Sequence, residues 1–318
     1  MNKKRKEVIA GNKVSELLTM NLGGYNQKVL IEGKNEKLPI VITLHGGPGT
    51  PIPFSVGCRG MFPEFTNKFI MVYWDQLGCG INNYKIDESF KVENFVDMTN
   101  DLLDNLRNMF PDNKILIFGT SWGSVLSALI SEIRYSDISG VVVCGQIVRD
   151  IFFNDEVIGA LEKSDVPKKR LEIIKNAKRD TATAKELQTF NSCLMKYTDA
   201  YNNKNGDKAP IGKMIKELLA SPDYSLRDFK AIMYNGYMGN RSLWAELLEI
   251  DLTKVIESVK IPYLILQGDT DIVASTAIIK SIVGKADNKN LKCTIVKNTG
   301  HFPSVEMMDA VFKALSNL

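Results

Sequence analysis

Residues 115–123 read ILIFGTSWG, and in this stretch a strand-like run passes directly into a helical one. Its first four residues are apolar and rich in isoleucine, which is typical of a buried strand, whereas residues 122–133 repeat their apolar positions at helical spacing. Ser121 lies at the junction, and Gly119 and Gly123 flank it two residues away on either side. Because small residues at those positions let a strand and a helix approach closely, the stretch predicts a strained turn that raises the serine hydroxyl above a sheet.

Strand-like runs of the same kind recur along the chain and alternate with helical stretches. The runs are Val14–Met20, Lys28–Ile31, Ile40–Leu44, Phe69–Trp74, Ile115–Phe118, Val141–Cys144, Tyr263–Leu266 and Cys293–Val296. Helical spacing is clear in Val92–Phe110, in residues 122–133 and in Val305–Leu315. The alternation predicts an α/β protein with a mostly parallel eight-stranded sheet and helices on both faces.

The alternation stops between Gln146 and Lys260. Roughly a hundred residues separate two strand-like runs there, against the ~2–6 residues of an ordinary connecting loop. The apolar residues in this part of the chain follow a helical spacing. We therefore predict a core formed by residues 1–145 and 258–318, with a helical cap inserted over residues 146–257.

The 318 residues have the composition of an ordinary globular chain, with 44% hydrophobic and 24% charged residues. The net charge of +3 arises at the start, because Lys3, Lys4, Arg5 and Lys6 contribute +4 and the remainder sums to −1. We interpret residues 1–13 as a basic, mobile tail. A nucleic-acid binder would carry basic residues across a folded face, so no nucleic-acid partner is expected.

Neither a membrane nor a metal is expected as a partner. No apolar run approaches the ~18 residues of a membrane span. The five cysteines are odd in number, widely spaced and without a C-x-x-C pair, and the chain has only two histidines. This pattern favours free thiols in a reducing cytoplasm and argues against a zinc site.

A serine hydroxyl needs a base to become a nucleophile, and histidine is the usual base because its pKa lies near neutrality. Of the two histidines, His301 lies between the last strand-like run and the final helix, whereas His45 follows the third run. A carboxylate is also needed to hold the imidazole, and Asp269 and Asp271 both follow the seventh run. Asp269 could equally be a turn former whose side chain accepts hydrogen bonds from local amides.

The tetrahedral intermediate of acyl transfer also needs hydrogen-bond donors for its oxyanion. Residues 45–49, HGGPG, end the third strand-like run and form a glycine-rich bend whose amides can turn inward. The amide of Trp122, directly after the serine, would be a second donor. A tight turn without a catalytic role is the alternative for the bend, and phosphate binding is disfavoured because the Walker and G-x-G-x-x-G patterns are missing.

Three segments together resemble the α/β-hydrolases of the proline iminopeptidase type: HGGPG at 45–49, YWDQLGCG at 73–80 and GTSWGS at 119–124. The order serine, aspartate, histidine along the chain is also the order found in α/β-hydrolases. The resemblance covers roughly residues 14–145 and 260–318. It departs from the family at Leu77, where the family usually has arginine.

The resemblance implies an α/β-hydrolase fold and a role for each matching residue. Ser121 would be the nucleophile, and Asp271 and His301 would complete the triad, because a glycine three residues before Asp271 matches the family's acid loop. Gly47 and Trp122 would supply the two oxyanion donors. No metal and no organic cofactor are implied.

The implied activity is that of a serine hydrolase that forms an acyl-enzyme and releases the N-terminal residue of a small peptide, so the expected partner is a small molecule or a short peptide. A carboxylesterase or lactonase acting on small esters is one alternative, and a non-catalytic ligand-binding homologue is another. The family binds the substrate amine through cap glutamates, for which Glu246 and Glu249 are the candidates, although a solvated helix face is the favoured interpretation of both. An epoxide hydrolase or dehalogenase is disfavoured, since those relatives carry aspartate at the position of Ser121.

Overall fold

The computed structural model describes residues 1–202, 211–233, 237 and 240–318. Within them, eight strands form a single sheet: β1 (Val14–Leu22), β2 (Tyr25–Gly33), β3 (Ile40–Leu44), β4 (Ile70–Tyr73), β5 (Ile115–Thr120), β6 (Gly140–Cys144), β7 (Tyr263–Gly268) and β8 (Leu291–Val296). Their order across the sheet is β1-β2-β4-β3-β5-β6-β7-β8. Strand β2 runs antiparallel to both neighbours and the other pairs are parallel, which confirms the predicted mostly parallel eight-stranded sheet.

The described residues also form thirteen helices. These are α1 (Lys3–Gly11), α2 (Pro63–Thr66), α3 (Val92–Met109), α4 (Trp122–Ile133), α5 (Asp155–Glu162), α6 (Lys168–Asn176), α7 (Ala184–Tyr197), α8 (Ile211–Leu219), α9 (Leu226–Met233), α10 (Arg241–Glu249), α11 (Thr253–Glu257), α12 (Thr276–Lys285) and α13 (Val305–Ser316). None of these described helices combines the length and the apolar character that crossing a membrane requires.

The central strands are predominantly apolar because helices cover both faces of the sheet. Every residue of β3, β5 and β6 is buried. Helices α3 and α4 pack on one face, whereas α2 and α13 contribute Phe65 and Val311 to a second buried cluster on the other. The parallel strands point the same way, so their carboxyl ends meet at one edge, and the loops at that edge carry the predicted site residues.

The insertion, residues 146–257, contains helices α5 to α11 and no strand in its described part. Its residues 203–210, 234–236 and 238–239 lie outside the described residues. The two ends of the insertion meet, since the Leu252 N–H donates to the Val148 carbonyl at 2.9 Å. Helix α11 packs against α4 and α12, so the chain returns to the core at Leu252, earlier than the predicted boundary at residue 257.

The start of the chain differs from the mobile tail expected for residues 1–13. Residues 3–11 form α1, and the Asn2 side chain caps this helix by accepting from the Arg5 N–H at 2.9 Å. Arg5 is only 3% exposed. Its guanidinium donates to the carbonyls of Arg59 and Glu217 at 2.6 Å and of Gly57 at 2.7 Å. A charged group loses its hydrating water when it is buried, and these carbonyls supply hydrogen-bond acceptors in place of that water. This explains why one residue of the basic run lies inside the fold.

Candidate functional site

Ser121 occupies the sharp turn between β5 and α4. Its backbone has φ 50° and ψ −117°, a conformation that non-glycine residues rarely adopt. The turn is held because the Ser121 N–H donates to the Cys144 carbonyl at 2.9 Å. A Cβ at Gly119 would overlap Ser127 Oγ, and a Cβ at Gly123 would overlap the Leu44 carbonyl, so both glycines are required for the close approach of strand and helix.

The structure brings Ser121, His301 and Asp271 together in one line of hydrogen bonds. His301 Nε2 lies 2.8 Å from Ser121 Oγ, and His301 Nδ1 lies 2.8 Å from Asp271 Oδ2. With the proton on Nδ1, the imidazole donates to the carboxylate and its Nε2 lone pair accepts from the serine hydroxyl. A base that is hydrogen-bonded to a hydroxyl on one side and oriented by a buried carboxylate on the other is the arrangement that activates a serine.

The two candidate aspartates have different environments. Asp271 is 1% exposed, and besides the imidazole it accepts from the amides of Val273 and Ala274 at 3.0 Å and from the Gln267 side chain at 3.1 Å. Asp269 is exposed and accepts from the backbone N–H groups at positions 298 and 299, at 3.1 and 3.0 Å. Asp269 therefore braces the loop before His301, whereas Asp271 contacts the histidine itself.

Gly145 lies directly beneath the histidine. It has φ +60°, and a Cβ there would be 3.1 Å from both Nδ1 and Cε1 of His301 and 3.4 Å from Asp271 Oδ2. Only glycine fits this position without pushing on the imidazole.

His45 is buried, and its side chain hydrogen-bonds within the bend that follows β3 and to residue 76. Its Nε2 accepts from the Gln76 N–H at 2.9 Å, which leaves the ring proton on Nδ1, 2.9 Å from the Gly46 carbonyl. Burial lowers the pKa of His45 to about 4, so the ring is neutral near pH 7. His45 is therefore a structural histidine, and the other histidine of the chain is the one beside Ser121.

The predicted oxyanion donors lie in the two segments that flank the serine. A Cβ at Gly46 would be 3.3 Å from Ser121 Cβ, which shows how closely the HGGPG bend approaches the turn. Gly47 has φ +118°, and a Cβ there would be 2.5 Å from the Gly49 nitrogen. Trp122 is the first residue of α4, where backbone N–H groups have no partner within the helix. Among the described residues, neither the Gly47 nor the Trp122 N–H donates a hydrogen bond, so both remain available to a ligand.

A family model described as the alpha/beta hydrolase fold matches residues 39–306, which is most of the chain. The chain belongs to this family. The predicted α/β-hydrolase fold is thereby confirmed. In the structure of this hydrolase, the insertion lies between β6 and β7.

Two relatives of this α/β hydrolase match it over nearly their full lengths. The probable aminopeptidase YbaC of Bacillus subtilis (strain 168) is 22% identical over 298 residues, which covers 90% of this chain and 91% of the relative. The proline iminopeptidase of Thermoplasma volcanium is 24% identical over 290 residues, 85% of each chain. A solved structure of the Mycobacterium smegmatis proline iminopeptidase superposes with a TM-score of 0.61 at 16% identity, covering 95% and 97% of the two chains, and supports the fold. The resemblance predicted from the three motifs is confirmed.

The two glutamates predicted as amine anchors have environments on α10 that do not include the serine, the histidine or the aspartate among their hydrogen-bond partners in the described residues. Glu246 on α10 accepts from the Val92 N–H at 2.8 Å and lies 3.8 Å from the Lys91 ammonium, so it stabilises the start of α3. Glu249 is exposed on the same helix. Glu249 thus lies on a solvated helix face, whereas Glu246 is partly buried against the start of α3.

No sequence pattern predicts which part of the insertion contacts His301. The His301 N–H donates to the Ala200 carbonyl at 2.7 Å, and the Phe302 N–H donates to the Tyr201 carbonyl at 3.0 Å. The Tyr201 ring stands edge-on to the imidazole with centroids 5.5 Å apart, and burial raises the pKa of its hydroxyl. Next to this pair, Asp199 has a buried Oδ1 with no hydrogen-bond partner in the described part of the chain. No motif marks these residues, because their contact with the site depends on how the insertion folds back.

Proposed function

We propose that this α/β hydrolase is a serine hydrolase that works through an acyl-enzyme. The observation that carries the proposal is the unbroken line from Ser121 Oγ through His301 to Asp271, with both hydrogen bonds at 2.8 Å. The strained backbone of Ser121 supports it, because such strain concentrates at functional sites.

The proposed reaction has two halves. In the first, His301 Nε2 takes the serine proton while Ser121 Oγ attacks the substrate carbonyl, and the amides of Gly47 and Trp122 donate to the resulting oxyanion. The tetrahedral intermediate then collapses, and the leaving group departs with the proton from His301. In the second half, water attacks the acyl-enzyme, His301 accepts its proton and returns it to Ser121 Oγ, and the acid is released.

The proposed substrate is a small peptide whose N-terminal residue is removed, as in proline iminopeptidases. Support comes from the two relatives named as an aminopeptidase and a proline iminopeptidase, which match over at least 85% of this chain. An aminopeptidase must bind an ammonium group, and a buried ammonium needs an anionic partner. Asp199 is our candidate for that partner, because its unpaired Oδ1 belongs to the segment that pairs with the His301 loop.

A carboxylesterase or lactonase acting on small esters is the second candidate. It is favoured because Glu246, a predicted amine anchor, already accepts a hydrogen bond from the Val92 N–H at the start of α3. An ester substrate needs no such anchor. We further propose that the insertion acts as a cap that selects the substrate, and that the reaction takes place in a reducing cytoplasm, for which the four buried cysteine thiols are the support.

The test uses a proline arylamide and a short-chain aryl ester with the native protein, Ser121→Ala and Asp199→Asn. We expect turnover of both substrates by the native protein, and loss of at least a thousandfold in Ser121→Ala. Asp199→Asn should lower arylamide turnover by about tenfold or more and leave the ester unaffected, because only the amide substrate carries an ammonium. Glu249→Gln, on an exposed helix face, is the matched carboxylate control.

Three results would change the proposal. Ester turnover without arylamide turnover would favour the esterase. Equal loss of both substrates in Asp199→Asn would remove Asp199 as the amine partner. Turnover that persists in Ser121→Ala would refute serine catalysis.

A further inference from the structure

The side chain of Gln76 lies fully buried between the two segments that carry the proposed oxyanion donors. Its Oε1 accepts from the Trp122 indole N–H at 2.7 Å, and its Nε2 donates to the His45 carbonyl at 3.4 Å. Its backbone N–H donates to His45 Nε2 at 2.9 Å. One glutamine therefore connects the bend of residues 45–49 to the first residue of α4.

These hydrogen bonds restrain the positions of the Gly47 and Trp122 N–H groups. The His45 carbonyl belongs to the peptide that leads into Gly46 and Gly47, so a donor on this oxygen restrains the direction in which the bend continues. The Trp122 indole is 0% exposed and packs edge-on against Phe95 with ring centroids 5.7 Å apart. Because its indole is held in place, the backbone of Trp122 next to Ser121 is restrained as well. Oxyanion stabilisation depends on donors held 2.7–3.1 Å from the developing charge, so both restraints bear on catalysis.

The contacts explain why the three motifs occur together in one chain. His45 belongs to HGGPG, Gln76 to YWDQLGCG and Trp122 to GTSWGS. The middle segment supplies no group to the hydrogen-bonded line of Ser121, His301 and Asp271. Its glutamine instead forms hydrogen bonds to both of the other two segments.

We propose that Gln76 is a positioning residue for the oxyanion site, holding the Gly47 and Trp122 amides at a fixed separation across the serine. This inference rests on the proposed function, since it assigns Gln76 to the acyl-transfer step. The Gln76 side chain is fully buried. It acts through the two segments that carry the proposed donors.

The chain contains a matched control for this assignment. Gln27 is also 0% exposed, its Oε1 accepts from the Trp74 indole N–H at 2.9 Å, and its Nε2 donates to the Leu22 carbonyl at 3.0 Å. This is the same glutamine-to-tryptophan bond with the same second bond to a carbonyl, but it joins β1 and β2 to the residue after β4 and does not involve the serine turn. Substitution of either glutamine removes a buried amide with an indole and a carbonyl as partners, and at Gln27 also a contact with Met98 Sδ at 3.4 Å.

The experiment compares Gln76→Met and Gln27→Met in aryl-ester turnover and in the rate at which a fluorophosphonate labels the protein. Gln76→Met should lower kcat and the labelling rate by ~10- to 100-fold, with KM changed by less than about threefold, because a misplaced donor weakens binding of the transition state and not of the ester. The pH profile of kcat/KM should keep its shape, since the His301–Asp271 pair is untouched. Gln27→Met should unfold at a lower denaturant concentration than the native protein, by about as much as Gln76→Met does, and should keep the native kcat.

Amide hydrogen exchange supplies a readout that does not need turnover. Exchange at residues 45–49 and 121–124 should accelerate in Gln76→Met and remain unchanged in Gln27→Met. An unchanged kcat in Gln76→Met, an equal fall in both variants, or unaltered exchange at the two segments would each overturn the assignment. Failure of the proposed function has a different signature: the native protein would not be labelled, or Ser121→Ala would be labelled equally well, and amide exchange would then decide the role of Gln76 alone.

Discussion

At the scale of single residues, the site depends on positions where no atom can be added. Gly145 is the clearest case, because the hydrogen it carries in place of a Cβ faces the His301 ring and because its φ of +60° disfavours other residues. The imidazole has little freedom to move, since Asp271 and the Ala200 carbonyl hold the side chain and the backbone of His301. A methyl group at position 145 must therefore displace the ring.

We predict that Gly145→Ala lowers kcat by about tenfold to a hundredfold, because a displaced His301 Nε2 cannot accept from Ser121 Oγ at 2.8 Å. The matched control is Gly159→Ala on α5, where a Cβ would meet nothing within 4 Å and should stabilise the fold by roughly 0.5–1 kcal/mol. Ester turnover and urea unfolding of both variants check the prediction. Full activity in Gly145→Ala would mean that the ring tolerates the methyl group.

Two buried ionisable residues near the site give opposite pH dependences of stability. Burial raises the pKa of Asp75 to about 6, although Val56 and Ile81 N–H groups and the Tyr224 hydroxyl donate to it. Its stabilising contribution is present below its unfolded pKa near 4 and is lost as the pH rises through about 6. Burial lowers the pKa of His45 to about 4, so its contribution is present above about 6.5 and is lost as the pH falls through about 4.

We predict that Asp75→Asn and His45→Gln change the acid response in opposite directions. Between pH 7 and pH 4.5, Asp75→Asn should lose roughly 2 kcal/mol more unfolding free energy than the native protein, whereas His45→Gln should lose less than the native protein. Urea unfolding at the two pH values measures both differences. An unaltered acid response in Asp75→Asn would show that Asp75 has the same pKa in the folded and unfolded chain.

The site residues differ in how far the sequence could predict them. Ser121 is marked by its two glycines, and with only two histidines in the chain the position of His301 after the last strand was informative. Asp269 and Asp271 both follow β7, so their positions along the chain do not show which of them contacts the histidine. Only the resemblance to the family favours Asp271. Tyr201 carries no local pattern, since its contact with His301 spans a hundred residues and depends on packing of the insertion.

At the scale of secondary structure, α1 connects parts of the chain that the sheet does not. The Arg5 guanidinium binds carbonyls of the 57–59 loop and of α8, and its charge lies 3.6 Å from the Glu217 carboxylate. The same loop is tied to the insertion through Arg59, whose guanidinium is 3.0 Å from Asp223. Helix α1 therefore holds α8 of the insertion against the loop that follows β3.

We predict that Arg5→Met lowers the free energy of unfolding by about 3 kcal/mol, because it leaves three carbonyls without their donor and removes the cation near the Glu217 carboxylate. Lys4→Met, one residue earlier on the exposed face of α1, should change it by less than about 0.5 kcal/mol. Urea unfolding of the two variants is the measurement. Equal stability of the two would show that the Arg5 contacts contribute nothing beyond those of a surface lysine.

The strands were easier to predict than α1, and the reason is physical. A strand buried on both faces is mostly apolar, so the apolar runs of β5 and β7 can be recognised from the sequence alone. Helix α1 has few apolar residues and is stabilised by hydrogen bonds from one arginine to distant carbonyls. A run of basic residues does not reveal which of them has such partners, and so the segment resembled a solvated tail.

At the scale of the whole molecule, the insertion is attached to the core at many separated points. Its ends are joined by the bond from Leu252 to Val148, and its middle pairs with the His301 loop through Ala200. The Tyr224 hydroxyl donates to buried Asp75, and the Asn240 side chain donates to the Asp87 carbonyl at 2.7 Å. These contacts come from segments between or next to different helices of the insertion, and they reach different loops of the core.

We predict that the core and the insertion unfold in one transition, and the three tryptophans allow this to be tested. Trp244 lies on α10 in the insertion, whereas Trp74 and Trp122 lie in the core. In Trp244→Phe the fluorescence reports the core, and in the double variant Trp74→Phe with Trp122→Phe it reports the insertion. Within each variant, the fluorescence midpoint in urea should coincide with the midpoint from far-ultraviolet circular dichroism, as a two-state transition requires. If the insertion unfolded separately from the core, the Trp244 signal would change at a urea concentration different from that of the backbone signal. A lower midpoint for Trp244 would mean that the His301 loop loses its Ala200 and Tyr201 contacts before the sheet unfolds.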